Sequence, residues 1–481
     1  MNRLAQALVF GLAAGAALAV APVSGEEHPH GPHHHHAHET PRVPLPFAAD
    51  PNRSTYTPLP RRDTLIVHAT MLDGAGGRRD DADVLVRDGK IAAIGHSLAV
   101  DRADLAVIDA HRRVLTPGVI DPHSHDGTYV VPLTSVDVHA SDVSEVSEPI
   151  DAEDWIQHAV NVQDPAFSRA LQHGVTTMMV LPGSDPLVSG HTVVLKPVPA
   201  ATVDAMMFPN APEGLKIACG ENPKETFGAL GRAPNSRQGE IALLRAAFLR
   251  AQDYVARWRD YESGREDDRP DRDLKLDALA AVLDGSVRVH VHCYRSDDMG
   301  VMLDLAREFG FRIAAFHHAM EAYKIPALLR DAGTCAVVWS DWWGYKMEAL
   351  DGIRENAAFL DAAGDCVAMH SDSPQTGQWL NVEAGIAAAA GRRAGLDLPP
   401  ERVIRWITSG PATVLGLQDR IGTIAPGYEA DLVLWSGDPF SVYTHADLVF
   451  IDGAVAFDRA HPPKLPASDF ELGRTPVPAQ P

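Results

Sequence analysis

The sequence predicts an α/β protein, a (β/α)8 TIM barrel with a small composite β-sandwich domain built from its N- and C-terminal segments. Three observations carry this expectation. Eight short apolar segments lie between residues 119 and 372, separated by helical or loop sequence. Strand-like stretches with Asp-Gly turns flank them at 63–116 and 419–460, and an alternating pair of histidines closes the first apolar segment.

In chain order, Arg3 precedes the apolar run Leu4–Val20 and the small residues Ala19-Val-Ala21. This reads as a signal peptide over residues 1–25, cut after Ala21 or Gly25, with an uncleaved anchor as the alternative. The expected product is exported, periplasmic or secreted, with no stable membrane association after cleavage. Residues 26–62 read as a His- and Pro-rich disordered linker, in which HPHGPHHHHAH (28–38) is expected to be a spacer with incidental metal affinity, with a dedicated metal-loading arm as the alternative. The 481 residues suffice for a barrel over 117–418 plus a smaller domain, followed by a C-terminal tail at 461–481. The net charge of -22 argues against nucleic acid and fits an enzyme with a small-molecule substrate; a homo-oligomer is compatible with it. Cys219, Cys293, Cys335 and Cys366 lack metal-finger spacing and lie in apolar stretches, so free buried thiols are expected.

The flanking segments TLIVHATMLDG, ADVLVRDGKIAAIG and AVIDAHRRVLTPG near the start match IGTIAPGYEADLVLWSGDPF and LVFIDGAVAFD near the end in character, as halves of one domain. Between them the strand candidates are VIDPH (119–123), VTTMMVL (175–181), TVVLK (192–196), LKIACG (215–220), VRVHVHC (287–293), RIAAFHH (312–318), CAVVWS (335–340) and CVAMHSD (366–372). Strands alternating with helices imply a parallel sheet, with its site at the strand C-termini. Amphipathic stretches at Glu240–Trp258, Leu274–Leu283, Asp298–Phe309 and Asn381–Ala394 suit an outer ring of helices.

The chemistry falls on strand ends. In extended backbone alternate side chains point the same way, so His123 and His125 reach one point, which is half of a metal site. In the fifth segment His292 is nearer the C-terminal end and the better ligand, leaving His290 structural. His317 and His318 are adjacent and are expected to point to opposite sides, so that only one is a ligand. Asp372 ends the eighth segment, where it can bind metal and carry a proton, with His370 as its supporting partner. The fourth segment offers Lys216 and Glu221.

The segment LTPGVIDPHSHDGT, together with LPGSDPLVSGHTVVLK, CGENPKETFG, HCYRSDDM, SDWWGYKME and the closing IGTIAPGYEADLVLWSGDP, resembles the amidohydrolase superfamily, in its imidazolonepropionase-related subgroup. The resemblance covers roughly Asp63 to Asp458 and implies one or two divalent ions, most of all zinc (Zn2+), at His123, His125, His292, His318 and Asp372. The spacing from His318 to Glu321-Ala-Tyr323 selects His318 over His317. On strand four it implies a carboxylated lysine at Lys216 in a two-metal site or Glu221 in a single-metal one, with Lys216 favoured. The implied reaction is hydrolysis of a C–N bond in an amide-like, cyclic-amide or dipeptide substrate, with Asp372 as general base and acid. Substrate contacts are expected at His191, Tyr294 and Arg295, and among Trp342, Trp343 and Tyr345. The stretch Gln375-Thr-Gly-Gln378 departs from the charged sequence expected of close relatives and puts the substrate in doubt. The reading of another class is an exported metal-sequestering protein whose barrel is catalytically idle.

Overall fold

The computed structural model describes residues 53–131 and 134–462. The expected signal peptide, the His-rich tract and nearly all of the C-terminal tail lie outside the described residues. Strands β1 (Thr64–Leu72), β2 (Arg78–Arg87), β3 (Lys90–Gly95), β4 (Ala106–Asp109) and β5 (Val114–Pro117) come before the central part of the chain. Central strands are β6 (Val119–Ser124), β7 (Val175–Val180), β8 (Val188–His191), β9 (Val193–Leu195), β10 (Gly214–Ala218), β11 (Arg288–Cys293), β12 (Ile313–His318), β13 (Cys335–Val338) and β14 (Val367–Met369). The strands β15 (Leu432–Trp435), β16 (Ala446–Ile451) and β17 (Ala454–Asp458) follow.

The two ends of the described chain meet in one eight-stranded sheet, ordered β17-β16-β15-β5-β1-β2-β3 with β4 beside β1. The join is direct, since Leu115 pairs with Leu434 across β5 and β15. Ile66, Val84, Leu115, Leu432, Leu434 and Phe450 share its main apolar cluster.

The central strands form two ladders, β6-β7-β9 and β14-β13-β12-β11-β10-β8. Pairing is parallel from β10 through β14 and between β6 and β7. The expected third parallel strand is corrected: residues 188–195 run antiparallel to both neighbours, β8 against β10 and β9 against β7. The reason is the connection. Only seven residues, 181–187, separate β7 from β8, whereas a parallel return needs a crossover of about a dozen or more. Ile120 and Met179 from one ladder and Ala315, Val337 and Ala368 from the other share one apolar cluster. The backbone N–H of Asp372 donates to the His123 carbonyl at 2.9 Å, tying the segment after β14 to β6.

Helices pack outside. Ser236 caps the helix Arg237–Glu262 by accepting from the Gly239 N–H, and Leu244, Ala247, Phe248, Ala251, Val255 and Trp258 bury one stripe of it. Asp273 caps Leu274–Asp284 in the same way, and Gly285 ends it in a left-handed turn that glycine adopts without strain.

The expectation of free thiols is overturned. Cys219 is bonded to Cys293 and Cys335 to Cys366, with Cα separations of 5.4 and 4.6 Å. Each bond joins neighbours in the parallel ladder, one between β11 and the residue after β10, the other between β13 and the residue before β14. Separations of 74 and 31 residues resemble no local motif. Strand register creates both pairs.

Lys196, just after β9, anchors the ladders to the eight-stranded sheet. Its buried ammonium lies 3.1 Å from Glu429, 3.5 Å from Asp431 and 2.8 Å from Asp452. Tyr56 donates its hydroxyl to Asp452 at 2.6 Å. Burial pushes the Asp431 carboxyl up to about 7, even beside the lysine.

Replacing Lys196 by Met is expected to cost about 3–5 kcal/mol, because three carboxylates lose their buried counter-ion. Carboxyls left without it have folded-state pKa values above their unfolded ones. Their protonation then supports the fold at low pH and is lost as pH rises, so the deficit should grow from about pH 5 to pH 8. Urea unfolding at both pH values checks this; a variant as stable as wild type at pH 8 would contradict it.

Candidate metal centre

The centre is built where β6, the segment after β14 and the ends of β11 and β12 converge. The His125 Nδ1 atom lies 2.8 Å from the Leu181 carbonyl oxygen. A carbonyl only accepts, so His125 carries its proton on Nδ1 and turns the Nε2 lone pair inward. That lone pair faces Asp372 Oδ1 at 3.2 Å. Two acceptors at this distance repel unless positive charge lies between them. His123 Nε2 completes a triangle, 3.1 Å from the same carboxylate oxygen and 3.3 Å from His125 Nε2. Ligand bonds of about 2.1 Å at tetrahedral or octahedral angles space donor atoms by about 3.0–3.4 Å. The triangle therefore has the dimensions of one face of a coordination sphere.

More donors surround it. His123, His318, His370 and Asp372 each offer an atom within 4.8 Å of the others. His318 Nδ1, His292 Nε2 and both ring nitrogens of His370 are buried without a hydrogen-bond partner. Such atoms are expensive to leave unmet, and a cation would meet them. Ser184 orients His292 through a 2.8 Å contact between its hydroxyl and Nδ1. The donor set of neutral nitrogens and one carboxylate fits a divalent ion of the zinc type.

The expectation that His317 and His318 point to opposite sides is corrected. His317 pairs in register with His292, while His318 has φ of 67°, a left-handed conformation that breaks strand alternation. Both rings face His123, at centroid distances of 4.8 and 4.9 Å. Asp372 also has a left-handed φ, 57°. Non-glycine residues held this way gather at functional sites, where the surroundings over-determine the backbone.

Burial pushes the imidazoles down, His290 and His370 to about 3 and His123, His292, His317 and His318 well below their ordinary value. They stay neutral, which is the ligating form. Burial would raise the Asp372 carboxyl; it is held below the usual carboxylate range only if positive charge sits on its His318 and His125 side, the place a cation would take among neutral imidazoles. Lys216 is fully buried, its Nζ 3.2 Å from the Pro182 carbonyl, and burial lowers its ammonium to about 8.

The other sequence candidates have partners of their own. Glu221 opens the helix Glu221–Ala229; its backbone N–H donates to Glu348 at 3.0 Å and its carboxylate lies 3.9 Å from Lys346. His191 pairs with Leu215 near the start of β10, the end away from His292, and stacks on Trp155 at 3.8 Å. Arg295 is bonded to Asp297 at 2.7 Å, at the mouth of a helix. Tyr294 does join the centre, stacked 5.3 Å from His318 with its hydroxyl bonded to that of Tyr345.

Sequence reasoning passed over four participants. Trp339 packs 4.4 Å from His318 and 4.6 Å from His370 and stacks on Trp342 at 4.5 Å. A cavity of about 270 Å³ opens beside this stack, lined by Met320, Trp343 and Arg354 among others. Lys346 holds its ammonium 5.1 Å above the Tyr294 ring and 2.6 Å from Asn222 Oδ1. Asp121 accepts from the backbone N–H groups of His123 and Ser371, both at 3.2 Å. His317, read as the unused neighbour of His318, lies 2.9 Å from His123 through their Nδ1 atoms. The aromatic segment SDWWGYK was visible as a motif, but nothing local tied its lysine to the histidines.

A profile of the Amidohydrolase family matches residues 318–457. The crystal structure of an amidohydrolase from Thermotoga maritima MSB8 superposes with a TM-score of 0.74 at 31% identity, over 82% of this chain and 100% of that one. The amidohydrolase tasK of Hapsidospora irregularis is 33% identical over 400 residues, 78% of this chain and 40% of the relative. An N-acyl-D-aspartate deacylase of Alcaligenes xylosoxydans xylosoxydans is 40% identical over 81 residues, 17% of this chain and 16% of that enzyme. The chain thus spans less than half the length of these two relatives.

His125→Ala is expected to weaken zinc binding by more than about 100-fold, beyond what loss of an outer partner costs. Glu221→Ala should leave it within about threefold. Competitive dye titration of the metal-free proteins reads both; full affinity in His125→Ala would remove the triangle from the site.

Proposed function

We propose a function from one premise: this chain belongs to the amidohydrolase family. It is a metal-dependent hydrolase acting on a carbon–nitrogen bond. The observation that carries the reading is the triangle of His123, His125 and Asp372, in which two lone pairs face each other across 3.2 Å. His318, His370 and His292 supply further donors, and zinc suits the set. We read the two ladders, joined through residues 188–195 and through the Asp372-to-His123 hydrogen bond, as a (β/α)8 barrel with one reversed stave.

When bound, a divalent cation supplies an acidified water and a Lewis acid for a carbonyl oxygen. Asp372 turns Oδ1 to the histidines and keeps Oδ2 to accept the proton of the attacking water and return it to the departing nitrogen. His125, locked by Leu181, holds its lone pair in place throughout. Lys216, with its ammonium lowered to about 8, has enough neutral amine near that pH to add CO2, releasing one proton and leaving a carbamate anion for a second ion. Tyr294, Trp339 and Trp342 offer an apolar wall that excludes water from one side. Lys346 at its rim suits a substrate carboxylate, so N-acyl amino acids, dipeptides and cyclic amides are the favoured class. Expression as an exported protein is supported by the apolar leader and by two disulfides, which persist in oxidising compartments.

Asp372→Asn should lower kcat by about 10⁴-fold, the upper range for general acid–base catalysis, since one carboxylate serves both proton transfers. The amide keeps an oxygen for the metal, so occupancy should fall far less. Measuring kcat and metal content on one preparation decides it; a variant within tenfold of wild type at equal occupancy would assign the proton to another group.

N-terminal sequencing of the exported protein should begin between about Pro22 and Glu26, as expected after signal cleavage. Thiol titration of the same denatured material should find no free cysteine. An intact Met1 in a membrane fraction would replace export with anchoring.

A further inference from the structure

We propose that His317 and His290 are positioning residues that together decide which nitrogen of His123 carries a proton. The three rings form a buried chain, with His123 Nδ1 2.9 Å from His317 Nδ1 and His317 Nε2 3.1 Å from His290 Nδ1. None of the three is more than 1% exposed, so water does not substitute for a missing partner. Each nitrogen–nitrogen contact needs one proton. None leaves two lone pairs opposed, and two force N–H against N–H.

The consequence is a linked choice. For His123 to offer an Nε2 lone pair beside Asp372, its proton must sit on Nδ1 and be donated to His317 Nδ1. The proton of His317 then sits on Nε2 and is donated to His290 Nδ1, which leaves the proton of His290 on its own Nε2. Turning one ring alone breaks a contact; only all three can reverse together. His125 obtains the same result from a carbonyl, which cannot reverse. His123 depends on two further residues, neither of which belongs to the ligand triangle. Outer partners of this kind typically contribute 10–100-fold to metal affinity by fixing the tautomer and ring orientation of a ligand.

The proposal rests on the reading of His123 as a metal ligand, and the test separates the two. Metal-free wild type, His317→Leu, His317→Asn, His290→Leu and the double variant His317→Asn/His290→Leu are titrated with zinc. The asparagine Oδ1 takes the place of His317 Nδ1 and accepts whatever its neighbour does. We expect His317→Leu to lose 10–100-fold in affinity and His317→Asn to stay within about threefold of wild type. His290→Leu should weaken binding by about tenfold alone and by nothing further in the His317→Asn background, a non-additivity that simple loss of packing does not give. Equal losses for His317→Asn and His317→Leu, or an equal effect of His290→Leu in both backgrounds, would overturn the proposal. Histidine ¹⁵N spectra of the zinc-loaded wild type should show His317 and His290 both protonated on Nε2; Nδ1 protonation of His317 there overturns it independently of the variants. If wild type binds no zinc, the metal reading fails, while the linked chain stands only if both rings carry their protons on like-named atoms, Nε2 on both or Nδ1 on both.

Discussion

Asp372 is the residue at which backbone and side-chain demands coincide. Its N–H donates to the His123 carbonyl while its carboxylate oxygen lies 3.1 Å from the ring of that same histidine. One left-handed residue therefore ties the segment after β14 to β6 and delivers the negative corner of the ligand triangle. Asp121 reinforces the junction by accepting from His123 and from Ser371, the residue before Asp372. Together with the Ser371 hydroxyl, which donates to the His123 carbonyl at 3.3 Å, these bonds hold the unfavourable φ at 372.

The electrostatics follow from that constraint. Several buried imidazoles remain neutral because burial makes protonation costly. The Asp372 carboxylate, partly open to solvent, faces those neutral nitrogens, an arrangement that only positive charge between them makes favourable. The result is a rigid basket of lone pairs whose shortest separations suit a cation. In the function we propose, Asp372 serves both as a donor to that cation and as the group that moves protons.

The scaffold shows how connection length and register override strand type. Residues 181–187 are too few to cross back, so the stretch after β7 runs antiparallel although its apolar sequence suits either direction. Register brings Cys219 beside Cys293 and Cys335 beside Cys366, and buries Lys196 among three carboxylates drawn from the C-terminal segment.

Read alone, the sequence determined most of the order of the elements and the pairing character of its two ends, and it put His123, His125, His292 and Asp372 forward as candidate donors, because periodicity and strand-end position are local properties of a chain; His318 came forward over His317 only through the resemblance. Tertiary structure alone decided the rest. His317 and His318 both face His123 because a positive φ breaks the alternation that their adjacency implies. His370 joins the donors because its strand lies against β6 through residues about 250 positions apart. A helix begins at Glu221, and a reversed strand sets His191 beside the start of β10. Each of these turns on direction and register, which are set by packing among distant segments and leave no mark in the spacing of neighbouring residues.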